Sequence, residues 1–573
     1  MPVHNSEVAT IFNQVADLLE IEGANQFRVR AYRNAAHTVS TLSKSVSDMV
    51  EAGEDLSELP DIGQDLAGKI EEIVDTGGLA QLDEIKDRTP PELAKMLKIA
   101  GLGPKRVAQI HQELGVNNLS ELQEAVQEGK VRDLDGFGEK TEQKILSELE
   151  HEQPEKERTL ISVAEELVGP LVDYLRDIEG VQEVEVAGSY RRRKETVGDL
   201  DILATGDNGA RIIKGFVEYE DVEEVTSQGE TRSTVILRSG IQVDLRVVPQ
   251  KSYGAALLYF TGSKSHSVAL RDMALDRDLK LNEYGLFEGE EPIARETEKE
   301  IYQALDLAYI MPELRERRGE IEAAQEDGLP QLVSIKDLRG DLQCHTKASD
   351  GHATLEEIAQ AAQDLGYEYL AITDHSQHVA VTQGLNVDAL AKQIDEIDRL
   401  NQQWEGFRVL SSIEVDILAD GSLDLPDDIL EKLDLTVCSI HSRFNLSREK
   451  QTERIIRAMD NPHFSILAHP TGRLIGDRDP YEVDMERVIQ AAVERGCFLE
   501  VNAHPMRLDL NDVYCKTAKE MGLKLAISTD AHRVDELKHM RFGVGQARRG
   551  WLEPDDVLNT RGWEELKKLL RRE

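Results

Sequence analysis

The chain has 573 residues, too many for one hydrophobic core, so three to five domains are expected. Its net charge of −42 excludes a generally basic nucleic-acid binder. Either the protein avoids nucleic acid, or an acidic surface suited to something else, such as a high-salt cytoplasm, leaves local basic sites intact. Cys344, Cys438, Cys497 and Cys515 form no CxxC pair and read as reduced thiols, and no signal-like start or apolar run of about 18 residues is present. A cytoplasmic protein without a membrane span is expected.

Residues 1–150 read as all-helical. They carry three similar segments: Leu59-Pro-Asp-Ile-Gly63, Ile99-Ala-Gly-Leu-Gly103 and Leu134-Asp-Gly-Phe-Gly138. A helical stretch with Lys69, with Lys105 and Arg106, or with Lys140 follows each. This is the helix-hairpin-helix pattern. Its glycines bring the turn close to a phosphate, and the next helix offers backbone N–H groups and its positive dipole end. Gly63, Gly101, Gly103, Lys105, Gly136 and Gly138 are therefore candidate DNA contacts. Contacts of this kind tolerate an acidic surface.

Residues 151–158 (HEQPEKER) read as a charged linker. Helix and strand signals alternate over 159–250, and 251–311 begins helical and becomes mixed. Residues 312–338 are polar with scattered Pro and Gly and read as an interdomain connector. Over 339–573 a strand–helix alternation (YLAIT, VLSSIEV, LTVCSI, SILAH, CFLEVN, LAIST) predicts a mostly parallel sheet or barrel.

Gly188-Ser189 precedes the basic run Tyr190-Arg-Arg-Arg-Lys194 and then Val197-Gly198-Asp199-Leu-Asp201. In a strand Asp199 and Asp201 share a face. Their repulsion implies a divalent cation, Mg²⁺ or Mn²⁺. Asp244, in the strand IQVDLRVVP, supplies a third carboxylate, enough for two ions and in-line phosphoryl transfer. Ser189, nearby amides and Arg192 are placed to hold a triphosphate, and Arg191 and Arg192 would give short-range phosphate contacts.

Toward the C-terminus stand eight further potential ligands, most of them after apolar runs: His345, Asp350, His375, Glu414, His441, His469, Asp530 and His532. A barrel gathers such residues at the C-terminal ends of its strands. Imidazole and carboxylate without thiolate suit Zn²⁺, Mn²⁺ or Fe, and eight ligands suit two or three adjacent ions.

Residues 188–201, Val243-Asp-Leu-Arg246, Tyr259-Phe260-Thr-Gly262-Ser263 and Leu281-Asn-Glu-Tyr284 stand in order and resemble motifs of the family X DNA polymerases over 1–315. The resemblance implies a helical lyase-like domain (1–85), a fingers-like domain (86–157), a palm (158–250) and a thumb (251–315). It implies template-directed filling of short DNA gaps from deoxynucleoside triphosphates. Gly188, Ser189, Arg192, Gly198, Tyr259, Phe260 and Gly262 would bind the nucleotide. Lys69 would form a Schiff base with a 5′-deoxyribose phosphate. Asp65 departs from the family where a second lysine is expected, and Ser267 where an Asn is expected.

After a linker at 316–338, residues 339–573 resemble the PHP domain, a trinuclear phosphoesterase on a distorted (β/α) barrel. The resemblance implies metal-dependent 3′–5′ exonuclease activity, with apurinic/apyrimidinic endonuclease activity a further expectation. It assigns His345, Glu414 and Asp530 to one ion, Asp350, His375 and His532 to a second, and Glu414, His441 and His469 to a third. Gln343 stands where the family often has histidine, and Asp374 and Glu500 are outer or alternative ligands. The expected whole is a monomeric multidomain repair enzyme. Two alternatives are a small-molecule phosphatase fused to a nucleotidyltransferase and a DNA-end-binding scaffold.

Overall fold

A computed structural model describes residues 3, 5–41, 46–59, 61–97, 99, 102–134, 136–138, 141–143, 145–146, 149, 158–378 and 383–571. The chain forms two compact units. One comprises Met1–Arg158, Glu220–Glu224 and Ile236–Gln242, and the other the remaining residues.

The described part of 3–149 is helical. Leu66, Ile70 and Ile73 of the helix Gln64–Thr76 repeat at helical spacing, and they are buried with Phe12, Val15 and Tyr32 in a first core. Gly77 ends that helix in the left-handed conformation its lack of a Cβ permits, at φ +75°. A second core gathers Leu93, Met96, Val107, Ile110 and Leu122.

An α/β region follows the N-terminal helices in the chain. Five strands lie in the order Val181–Val186, Leu200–Gly206, Gln242–Val248, Arg232–Leu237, Val222–Gln228. The first pair is antiparallel and the second parallel. Helices Tyr253–Thr261 and Lys264–Leu275 follow, then a three-stranded antiparallel sheet, Leu279–Asn282, Gly285–Glu288 and Glu291–Ala294.

A fully buried Arg315 ties the helix Glu298–Ala304 to the following segment. Its Nη1 donates to Glu298 Oε1 at 2.6 Å, and its Nε and Nη2 donate to the Ile310 carbonyl. Arg191 donates to both oxygens of the same carboxylate at 2.9 and 2.8 Å. Burial opposes ionisation of Glu298, but Arg315 and Arg191 hold its carboxyl down to about 2 from an ordinary 4.5. A depressed carboxyl contributes stability above its unfolded value and loses it as pH falls toward the folded one. Arg315→Met is expected to cost about 3–5 kcal/mol at neutral pH by removing one of the two guanidinium partners of a buried carboxylate. The gap to wild type should narrow between pH 4.5 and about 2, as measured by paired thermal melts.

The segment read as a polar connector is not a solvated tether. Glu320 and Ile321, on the helix Glu320–Gln325, are buried, and Glu320 takes a 2.7 Å contact from the Nδ1 of buried His266. Val333 is buried in the C-terminal core. Turn residues and charges hid this in the sequence, because the burial depends on partners far away in the chain.

The C-terminal region is a ring of parallel strands. Gly340–Cys344, Tyr369–Ile372 and Arg408–Ser411 form one sheet, and Glu414–Asp416, Val437–Ser439, Ile466–Leu467, Phe498–Asn502 and Leu525–Ser528 form the other. Parallel bridges His375–Glu414 and Cys344–Ala531 join the sheets at both seams. Apolar residues on both faces bury the strands, as a barrel with outer helices requires.

Candidate functional site

In the N-terminal unit the three hairpin turns share one local geometry. The N–H groups of Ile62, Leu102 and Phe137 donate to the carbonyls of Leu59, Ile99 and Leu134. Gly63, Gly103 and Gly138 then accept from Ala67, Val107 and Glu142, opening the next helix each time. A Cβ on Gly63, Gly103, Gly136 or Gly138 would meet open space, so these turns are bare backbone facing outward. Arg106 bonds the Gly136 carbonyl at 3.0 Å and lies over the Phe137 ring, joining the second turn to the third, while Lys105 stays exposed. Gly101 and Lys140 lie outside the described residues. Lys69 is 15% exposed, pairs with Asp65 one helical turn away, and lies 5.7 Å from the centre of the Tyr32 ring.

In the five-stranded sheet of the α/β region, parallel register sets Asp201 beside Asp244. Asp199 comes immediately before the strand. Burial first, then the charges of Asp199 and Asp244, push the Asp201 carboxyl up to about 6. Such crowding is what a divalent cation relieves, so the residues fit one. The adjacent strand Arg232–Leu237 adds two partners that the sequence reading missed. Thr234 Oγ1 and Arg232 Nη2 donate to Asp244 Oδ1 at 2.6 and 3.3 Å.

Gly188 has φ +60°, and a Cβ there would fall 2.5 Å from Asp201 Oδ2. Only glycine can turn the strand into the short helix Gly188–Arg191, which carries Ser189 and leads to Arg192, so close to that carboxylate. Arg192 bonds Glu316 at 3.0 Å and the Thr261 carbonyl. At Gly262, φ +69°, a Cβ would come 3.2 Å from Arg192 Nη1. Arg191 departs from its expected role as a phosphate contact: Glu298 and Thr261 engage it. Phe260 is covered by the Arg246 guanidinium, 4.5 Å from its ring centre, and Tyr259 is exposed. Ser267 lies on the helix Lys264–Leu275. An open cavity of about 720 Å³ borders Arg192, Lys194, Ser263, Lys264 and Glu316. Asp199, Asp201 and Asp244 are not in its lining.

In the barrel the proposed ligands lie in the segments that follow strand C-terminal ends, with Glu414 three residues past Arg408–Ser411 and itself opening Glu414–Asp416. Three groups have ligand atoms within 4.8 Å of one another: His345, Asp350, His375 and His532; His375, Glu414 and His441; His345, Glu414 and Asp530. The last matches the first expected set. His345 joins the second set, and His375 the third. His469 enters through a 3.1 Å contact from its Nε2 to Glu414 Oε1. Among the described residues, no other such clusters are found, and Asp199, Asp201 and Asp244 do not close to that spacing.

Glu414 is the hub. Burial would raise its carboxyl, but the imidazoles of His375, His345, His441 and His469 hold it well below the usual range. His345 Nε2 lies 3.2 Å from Glu414 and 3.1 Å from Asp530, yet neither ring nitrogen of this buried histidine finds a hydrogen-bond partner. Orphaned imidazole nitrogens facing carboxylates fit metal ions between them. Gln343 donates to Glu414 at 3.1 Å and to Asp530 at 3.3 Å, while its Oε1 is buried without a partner.

Surrounding groups orient these ligands. Asp416 takes His441 Nδ1 at 3.2 Å, and the Asp530 carbonyl takes His532 Nδ1 at 2.7 Å, turning each Nε2 to the centre. Burial opposes protonation of His441, but Asp416 and Glu414 raise it to about 9. Asp374 accepts from Thr346, Ser349 and Gln393, clamping the loop that carries His345 and Asp350. Glu500 holds the His469 N–H at 2.7 Å, and Asn502 bridges Glu500 to Asp530. Asp416 and Asn502 were missed, although each lies two residues past an acid on the same strand face. Arg507, 3.4 Å from Asp530, carried no sequence signal. His469 (φ 28°) and Asp530 (φ 56°) have left-handed backbones, at about 1–3 kcal/mol each.

Family models match along the chain. A helix-hairpin-helix domain covers residues 3–79, a SAM-like helix-hairpin-helix tandem 93–151, a DNA polymerase beta thumb 256–316 and a PHP domain 341–504. A Bacillus subtilis (strain 168) protein named DNA polymerase/3'-5' exonuclease PolX is 37% identical over 574 residues, covering 100% of both chains. A probable phosphatase of Thermoanaerobacter sp. (strain X514) is 32% identical over 236 residues, 38% of this chain and 89% of its own. Full-length similarity to the first, with the thumb and PHP regions in the same order as the two centres, means that this chain belongs to the family X DNA polymerases that carry a PHP domain.

Proposed function

We propose that the chain fills short DNA gaps with its palm and trims DNA 3′ ends with its barrel, as a repair enzyme. The observation that carries this is one chain holding two separate acidic centres: Asp201 beside Asp244, and the Glu414 hub at the barrel's strand ends. Divalent ions bound at either centre would activate the attacking oxygen and neutralise the leaving one. Asp199, Asp201 and Asp244 would hold Mg²⁺ or Mn²⁺. Two or three Mn²⁺, Zn²⁺ or Fe ions would sit among the barrel ligands, with Gln343 offering its oxygen.

The chain's own residues position the substrates. Arg192, Ser189 and the Gly188 and Gly198 backbone would grip the triphosphate. Tyr259, Phe260 and Gly262 would face the sugar, with Arg246 fixing the Phe260 ring. The outward-facing turns at Gly63, Gly103, Gly136 and Gly138 would take DNA phosphates on bare N–H groups, which needs little positive charge. The domain divisions at 85, 157, 250, 315 and 338 go with this reading, as do a monomeric state, a cytoplasmic location and apurinic/apyrimidinic cleavage. No described helix is long and apolar enough to cross a membrane.

The similarity to probable phosphatases favours a second reading, in which the barrel hydrolyses small phosphate monoesters. Rates on a DNA 3′ end and on histidinol phosphate, both with Mn²⁺, separate the two. Faster turnover of the DNA end is expected, and the reverse would reject the exonuclease assignment.

Lys69 is the proposed lyase nucleophile. A Schiff base needs the uncharged amine, and Asp65 pairs with the ammonium. Borohydride should trap the protein on 5′-deoxyribose-phosphate DNA. Asp65→Ala should raise the yield several-fold and Lys69→Ala should abolish it. Undiminished trapping by Lys69→Ala would reject the role.

A further inference from the structure

The inference that follows rests on the proposed role of Arg192 as the triphosphate-holding arm. Arg192 is only 11% exposed, and its guanidinium is fixed by Glu316 through Nε and by the Thr261 carbonyl through Nη1. A carboxylate beside an arm meant for a polyanion is unfavourable by itself. Arg549 of the barrel resolves this. Its Nη1 donates to Glu316 Oε1 at 3.0 Å and to the backbone carbonyl of Arg192 at 2.8 Å. Its Nη2 donates to Asp512 Oδ2 at 2.6 Å, an oxygen that Arg318 also contacts at 3.0 Å. Arg549 is 3% exposed, at the end of the helix Met540–Arg549.

We infer that Arg549 of the barrel, acting through Glu316, is a positioning residue of the nucleotide site that sets the charge and direction of Arg192. Arg192, Glu316 and Arg549 together carry one positive charge, and without Arg549 they carry none. Arg549 also grips both the carbonyl of Arg192 and the carboxylate holding its side chain, so it fixes that residue at two points. Arg192 and Glu316 both border the cavity shared with Lys194 and Lys264, which gives the phosphates room and further positive charge. The C-terminal domain thus serves nucleotide insertion as well as its own chemistry.

Steady-state gap filling on the full chain, with dNTP titrated over a saturating one-nucleotide gap, tests the link. Arg549→Met should raise the dNTP KM about tenfold and move kcat less than about twofold. Its 3′-end trimming should be unchanged. Arg549→Lys cannot make the same three bonds and should also raise KM. Adding Glu316→Gln to Arg549→Met restores the net charge without the orientation, so part of the affinity should return. An unchanged KM in Arg549→Met, or a loss confined to kcat, overturns the link. If Arg549→Met loses both activities through misfolding, a wild-type KM in Arg549→Lys overturns it instead. Arg192→Ala is the control. An unchanged KM there removes the triphosphate role of Arg192 itself, whereas a raised KM there with none in the Arg549 variants removes only the link.

Discussion

Gap filling by Asp201→Ala should fall by about 10³-fold or more, while 3′-end trimming stays within about twofold of wild type. Asp201 lies directly beside Asp244, and burial together with its acidic neighbours already pushes it up to about 6. Carboxylates under such strain hold a divalent cation, and removing the central one leaves too few ligands for a pair of ions. Asp244→Ala should behave alike and also release Thr234 and Arg232 from their shared acceptor. Primer extension across a gap, run beside single-strand degradation, gives both rates. Normal insertion by Asp201→Ala would remove the palm assignment.

Glu414→Gln should produce the mirror image. Its carboxylate faces four imidazoles, and an amide there cannot bridge cations or balance them. Bound transition metal should drop by at least one equivalent per chain, 3′-end trimming by about 10³-fold, and insertion should hardly change. Elemental analysis of the purified variant and the same paired assays check this. Full metal content with full trimming would show that the hub is structural only.

Much of this was legible because strands alternate and barrels collect function at one end. The period of two grouped Asp199 with Asp201, although Asp199 stands just before the strand Leu200–Gly206, and the apolar runs before His345, His375, His441, His469 and Asp530 marked strand ends. The same period could have yielded Asp416 from Glu414 and Asn502 from Glu500. What stayed hidden depends on distant partners. Nothing local to Tyr190-Arg191-Arg192 says that the first arginine turns into Glu298, 107 positions on, while the second meets Glu316. The redistribution of His345 and His375 among the metal groups comes from the joining of the two sheets at His375–Glu414 and Cys344–Ala531. Gln343, which looked like a weakened ligand, also donates its side-chain N–H to both Glu414 and Asp530.

The central claim is that one chain both extends and shortens a DNA 3′ end at separate metal centres. A 5′-labelled primer at a one-nucleotide gap, incubated with the wild-type chain and Mg²⁺ or Mn²⁺, tests it in one gel. One added nucleotide is expected with the complementary dNTP, progressive shortening without it, and neither after chelation. A primer that stays at its original length under all metal conditions, with or without dNTP, would contradict it.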